Sequence, residues 1–206
     1  MIEVAILIGA LAGQPANVVS ALVGRWDAES RSRGGVGTWF DLARDGTCSE
    51  TSGAMVDGTW KLNGDHLTIS MPEGGGTTQD QETTIAIQGD ILVQTAGGQT
   101  RRLQRAGAPV RSGRPGLVGA WTYEHPAGGH GYDEYVDDRR FLFRLPMTSK
   151  PCRWSADGDR LNITIDSEAR QMRWHLSGDR LILDDGQGSR PFHRERSGVI
   201  PPLQRR

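Results

Sequence analysis

Cysteine is scarce in this chain: Cys48 and Cys152 are the only two in 206 residues. No Cys-x-x-Cys occurs, which removes zinc-ribbon and thioredoxin-type chemistry. The pair fits one bridge between the two halves of an exported chain, and it fits two buried free thiols equally well. An excess of either charge is also missing, since 24 Lys and Arg face 25 Asp and Glu. The short pairs Arg101-Arg102, Arg139-Arg140 and Arg205-Arg206 make no continuous basic patch, so nucleic acid is not an expected partner. Long apolar runs are absent too. The best, Val4 to Leu11, is too short to span a bilayer, so no membrane span is expected.

Catalytic constellations are equally thin. There is no nucleophile elbow and no His-Glu-x-x-His. The carboxylate pairs Asp137-Asp138 and Asp184-Asp185 are adjacent in sequence. On a strand they point to opposite faces, a poor geometry for acid/base work. Gly74-Gly75-Gly76 lacks the Lys-Ser/Thr and helix of a phosphate loop. His66, His175 and His193 are dispersed. The expectation is a protein that is not an enzyme and carries no cofactor or metal.

What is present is glycine, 28 residues, against only 36% hydrophobic residues. An apolar-poor, turn-rich chain argues against one thick α/β core and for thin-walled β structure. An internal repeat sharpens this. Leu22-Val-Gly-Arg-Trp26 recurs as Leu117-Val-Gly-Ala-Trp121. Trp60-Lys-Leu-Asn-Gly-Asp-His-Leu67 recurs as Trp154-Ser-Ala-Asp-Gly-Asp-Arg-Leu161. Ile87-Gln-Gly-Asp-Ile-Leu92 recurs as Leu176-Ser-Gly-Asp-Arg-Leu181, and Arg101 to Arg105 falls on Arg190 to Arg194. Landmarks in one order with slowly shrinking spacing mean duplication with small loop deletions.

Within each repeat the hydrophobic period is two. Leu67, Ile69 and Met71 alternate with polar residues, as do Leu161, Ile163 and Ile165, and Met172, Trp174 and Leu176. Such alternation marks half-buried strands. Between them stand hairpin signals at Asp45-Gly46, Asn63-Gly64, Gly89-Asp90, Gly97-Gly98, Asp157-Gly158 and Gly178-Asp179. The pattern predicts an all-β fold: two small antiparallel up-and-down β-barrels in tandem, of about eight strands each. The barrels are expected over residues 21–106 and 116–196, with a Gly/Pro-rich linker at 107–115 and a fraying tail at 197–206. Residues 1–20 read as a leader or signal peptide, with Ala10-Leu11-Ala12 as its small-x-small cleavage form. That reading implies a periplasmic or secreted protein; a short element packed on the first barrel in a cytoplasmic protein is the alternative.

The opening Leu-x-Gly-x-Trp, present twice, resembles the first strand of bacterial lipocalin-like domains of the calycin type. The resemblance covers both repeats. It implies that Gly24 and Trp26, and again Gly119 and Trp121, close one end of a barrel, and that an Arg from the last strand packs across the indole. Arg105 and Arg194, or Arg102 and Arg190, are placed to supply it, as a cation–π contact of about 0.5–2 kcal/mol. Trp26, Trp60, Trp121 and Trp154 are expected in the core. Each repeat is shorter than a true lipocalin, and a small barrel can fill its interior with side chains.

The second repeat alone carries Glu124-His125-Pro-Ala-Gly-Gly-His130-Gly-Tyr132-Asp133-Glu134-Tyr135. His125, His130, Tyr132 and Glu134 form a candidate loop site, because imidazole and carboxylate can bind a transition metal. The same residues also read as a solvated hairpin loop. Three functions are carried forward: a module holding a small apolar ligand in a barrel mouth, a protein-interaction or periplasmic protease-inhibitor-like barrel, and a ligand-free structural tandem.

Overall fold

A computed structural model describes residues 20–73, 77–107, 116–126 and 129–195. The leader apart from Ser20, the linker beyond Gly107, and the tail lie outside the described residues. So do Ala127 and Gly128 of the histidine loop.

The alternating segments form strands. These are β1 Gly24–Ala28, β2 Val36–Leu42, β3 Thr47–Asn63, β4 His66–Pro72, β5 Thr78–Gln88, β6 Ile91–Ala96 and β7 Gln99–Ala106, then β8 Gly119–Glu124, β9 His130–Tyr135, β10 Arg140–Asp157, β11 Arg160–Ile165, β12 Glu168–Ser177, β13 Arg180–Asp184 and β14 Ser189–Glu195. Each repeat supplies seven strands rather than the eight or so expected. Sequence neighbours pair antiparallel, β7 pairs with β8, and β14 returns to β1, so the fourteen strands make a closed up-and-down ring.

The counterpart strands β3 and β10 are far longer than the rest, at 17 and 18 residues. They pair with each other across the ring, from Thr47 opposite Arg153 to Thr59 opposite Arg140, with a register shift between Pro146 and Thr148. This pairing divides the ring into two closed circuits of eight strands. The first holds β1, β2, the N-terminal half of β3, the C-terminal half of β10, and β11 to β14. The second holds β4 to β9 closed by the other halves of β3 and β10. A strand of 17 residues spans about 55 Å, too long for one small circuit, so the chain runs straight from one into the other.

Ser52-Gly53 and Asp57-Gly58 resemble turn dipeptides, yet they lie inside β3. A Cβ on Gly53 would stand 2.2 Å from the Leu145 carbonyl oxygen, so close backbone approach explains the glycine here.

The cores follow the circuits and not the repeats. The first gathers Trp26, Phe40 and Leu42 from one repeat with Trp154, Leu161, Ile163, Met172 and Phe192 from the other. The second gathers Trp60, Leu67, Ile69, Leu92 and Leu103 with Trp121, Tyr135 and Phe141. Each packed core thus draws on both halves of the chain. Trp26 and Trp121 are fully buried, as the pattern predicts. Among the described residues no helix is long and apolar enough to cross a membrane.

Candidate functional site: two circuit mouths and a buried seam

One end of each circuit is sealed by a tryptophan. Gly24 and Gly119 adopt φ of 131° and 121°, a region open to glycine, and so turn the chain onto the first strand. Trp26 Nε1 donates to the Leu22 carbonyl at 2.7 Å, and Trp121 Nε1 donates to that of Leu117 at 2.8 Å. The Arg194 guanidinium lies 4.1 Å from the Trp26 ring centre, and Arg105 lies 4.0 Å from that of Trp121. Each arginine comes from the opposite repeat to its tryptophan. Arg194 also donates to the carbonyls of Val23 and Ala21, and Arg105 to those of Gly116 and Val118. The Gly-Asp turns complete each cap, with Asp90 3.2 Å from Arg105 and Asp179 3.7 Å from Arg194. Arg102 is exposed, and Arg190 pairs with Asp185.

The other ends differ. Arg190 lies near the start of β14 and Arg194 near its end, so Arg190 marks the mouth away from Trp26. There the first circuit carries a shallow cleft that its own side chains nearly fill. Phe40, Ile163, Ile165, Met172, Leu183 and Phe192 form its walls, with Glu50, Arg170 and Arg190 around the rim. Phe40 and Phe192 meet with ring centres 5.5 Å apart. Arg170 reaches Glu50 at 3.5 Å, and Arg190 reaches Asp185 at 2.9 Å.

The matching positions of the second circuit are polar. Asp133 stands opposite Trp121 as Phe40 stands opposite Trp26. Gln94 stands opposite Arg101 as Leu183 stands opposite Arg190. Arg101 donates to Asp133 at 2.6 Å and to Gln94 at 2.5 Å. Gln94 donates to the Tyr135 hydroxyl at 2.7 Å, and Arg101 covers the Tyr123 ring at 4.1 Å. Burial pushes the Asp133 carboxyl up to about 6 against the pull of Arg101 and His125. Burial raises the Tyr123 and Tyr135 hydroxyls as well. This network occupies the positions that are apolar in the first circuit.

The histidine-loop residues are not brought together. His125 packs against Tyr123 and Phe143, its ring centre 6.1 Å from each. His130 is exposed. Tyr132 and Glu134 are buried on the face of β9 opposite Tyr135, the face that His130 shares at its exposed end, so they are not part of a solvated loop. Among the described residues no group of three or more His, Cys, Asp or Glu is placed to hold a metal ion.

One feature was left open by the sequence and another was not legible in it. Cys48 and Cys152 face each other on β3 and β10 and form a disulfide, with Cα atoms 4.8 Å apart. The free-thiol alternative is set aside. A buried ionic seam also joins β1 to the middle of β10. Arg144 pairs with Asp27 at 2.7 Å and with Asp57 at 2.7 Å, and Arg25 pairs with Asp41 at 2.8 Å. Burial raises the Asp27 carboxyl even with Arg144 and Arg25 beside it. Charged residues alternating with a core Trp read as solvent-facing in sequence, so nothing there pointed to a seam.

No protein-family model matches the chain, and no match was found among curated proteins or solved structures.

Proposed function

We propose that this chain is a non-enzymatic binding module made of two lipocalin-like barrels of calycin type that exchange strands, and that its binding site is the cleft of the first circuit. Calycin character is supported by the Gly-x-Trp caps, each closed by an arginine from a last strand. One observation carries the function: two mouths at matching places in the repeats have diverged, one lined by apolar side chains, the other by the Arg101–Asp133 network. Because the cleft is shallow and nearly filled by its own side chains, it suits contact with one small apolar group at the mouth rather than a buried ligand. The second barrel, filled by side chains, is structural. The disulfide supports an exported protein, periplasmic or secreted, because such bonds persist in oxidising compartments.

The test is titration of the intact chain with 1-octanol, followed by NMR of the Ile163, Leu183 and Met172 methyl groups. Saturable shifts at these methyls are expected. Leu183→Gln, which places the second barrel's residue type in the first cleft, should weaken binding about tenfold through loss of apolar contact. Absence of saturable shifts, or binding untouched by Leu183→Gln, would overturn the proposal.

A further inference from the structure

We infer that the surface between the two repeats is a self-complementary dimer interface. The partner it fits is a second copy of this chain, the first repeat of one copy pairing with the second repeat of the other.

Strand register is the basis. Phe40 pairs with Glu50 as Asp133 pairs with Phe143. Glu50 of β3 therefore matches Phe143 of β10, and Thr47 matches Arg140. At the other end Trp60 matches Trp154, so Thr59 matches Arg153. The one-residue difference between the two ends falls at the register shift between Pro146 and Thr148. Across the ring, Thr47 lies opposite Arg153 and Thr59 lies opposite Arg140. Each end of β3 thus faces the match of its own other end. The outer pairings obey the same rule. Trp26 lies opposite Arg194 and Asp27 opposite His193, as Trp121 lies opposite Arg105 and Thr122 opposite Gln104. Contacts that survive interchange of the two units are isologous, the kind that identical subunits make about a two-fold axis.

Neither repeat closes a circuit without the other. Alone, β1 and β7 would be sheet edges, and β3 would lose its partner from Thr47 to Thr59. Open edges of that length are templates for another strand. The same atoms meet whether the matching repeat lies on the same chain or on another copy, so exchange rebuilds each ring contact for contact. The covalent join between β7 and β8 favours the single chain, by an effective concentration of about millimolar for a short linker. The disulfide reports which form is present. In an exchanged pair, Cys48 of one copy meets Cys152 of the other. The symmetric counterpart of that site, Gly58 opposite Phe141, holds no cysteine, so exchange gives bonds of a single connectivity.

The experiment mixes isotope-labelled and unlabelled full chain, both unfolded and reduced, and refolds them in a glutathione buffer over a range of protein concentrations. A second chain carries three Glu-Ala-Ala-Ala-Lys units in place of residues 108–115. That stiff spacer is about 22 Å long where helical, whereas the strands it joins are neighbours, with Ala106 opposite Ala120. At low concentration the native chain should refold as a monomer whose Cys48–Cys152 peptide joins like isotopes. Dimer should increase with concentration, and the spacer chain should dimerise at a concentration about tenfold lower or less. Dimers should keep the tryptophan fluorescence of the monomer and yield Cys48–Cys152 peptides that join unlike isotopes. Dimers bonded Cys48 to Cys48, or dimers without mixed-isotope Cys48–Cys152 peptides, would overturn the inference. So would a native chain that stays monomeric at every concentration, whether or not the spacer chain refolds.

Discussion

The guanidinium of Arg194, in the last strand of the second repeat, lies over the indole of Trp26, in the first strand of the first repeat, 4.1 Å from its centre. Arg105 and Trp121 make the reciprocal contact at 4.0 Å. The two caps therefore tie the repeats to each other. A double-mutant cycle should give coupling of about 0.5–2 kcal/mol for Arg194→Met with Trp26→Leu, and none for Arg105→Met with Trp26→Leu. Urea denaturation measures both. Coupling within a repeat instead would contradict the exchanged strands. Gly24→Ala should also destabilise, since its φ is 131° and its Cβ would sit 3.1 Å from Arg194 Nη1.

Removing the disulfide should loosen both circuits, because it staples the β3–β10 ribbon they share. It closes a loop with a sequence separation of 104. Loop-closure entropy for that length corresponds to about 4–5 kcal/mol, an upper value. Cys48→Ala/Cys152→Ala should lower the urea midpoint accordingly, and mass spectrometry of the native chain should show a gain of two hydrogens on reduction. An unchanged midpoint would mean that the ribbon does not depend on the bond.

The seam makes a different prediction. Arg144→Met leaves Asp27 buried without its main counter-charge and should cost about 3–5 kcal/mol. Adding Asp27→Leu removes the stranded carboxylate and should restore most of that loss. Calorimetry of the single and double variants checks this. A double variant no more stable than Arg144→Met would show that the pair is not the source of the cost.

Asp133 gives the pH dependence. Its folded carboxyl is pushed up to about 6 by burial, well above the unfolded value near about 3.9. The folded state therefore holds the proton more tightly. The stability this confers is full below the unfolded value and is lost as pH rises through about 6, by up to about 3 kcal/mol. The stability difference between the native chain and Asp133→Asn should fall between pH 4 and 6.5 and then level off. A difference that is flat, or that rises with pH, would refute the assignment.

Much of the architecture was legible because a half-buried strand writes its period of two into the sequence. The alternating runs followed from that rule, the hairpin glycines from turn chemistry, and the buried Trp26, Trp60, Trp121 and Trp154 from the usual burial of large aromatics. The partners of these groups were not legible. Arg105 could be matched to a Gly-x-Trp, but nothing local says whose. Tyr132 and Glu134 were grouped with the histidine loop because the sequence does not say which face of their strand is covered. Asp133 and Phe40 occupy matching places in the two repeats, yet their effect on a mouth emerges only when six or seven other strands supply the surroundings.

By itself the sequence determined that this chain is duplicated, all-β and antiparallel, with glycine turns and tryptophan-led strands, because those properties rest on local dihedral preferences and periodicity. Only the tertiary structure decided that β3 and β10 run through both circuits. It also decided that Arg194 reaches back to Trp26, that the cysteines meet, and that one mouth is lined by apolar side chains while the other holds a charged network. Each of these depends on long-range strand pairing, which backbone hydrogen bonds make available between any two extended segments. Side-chain packing selects among those pairings only once the whole ring has closed.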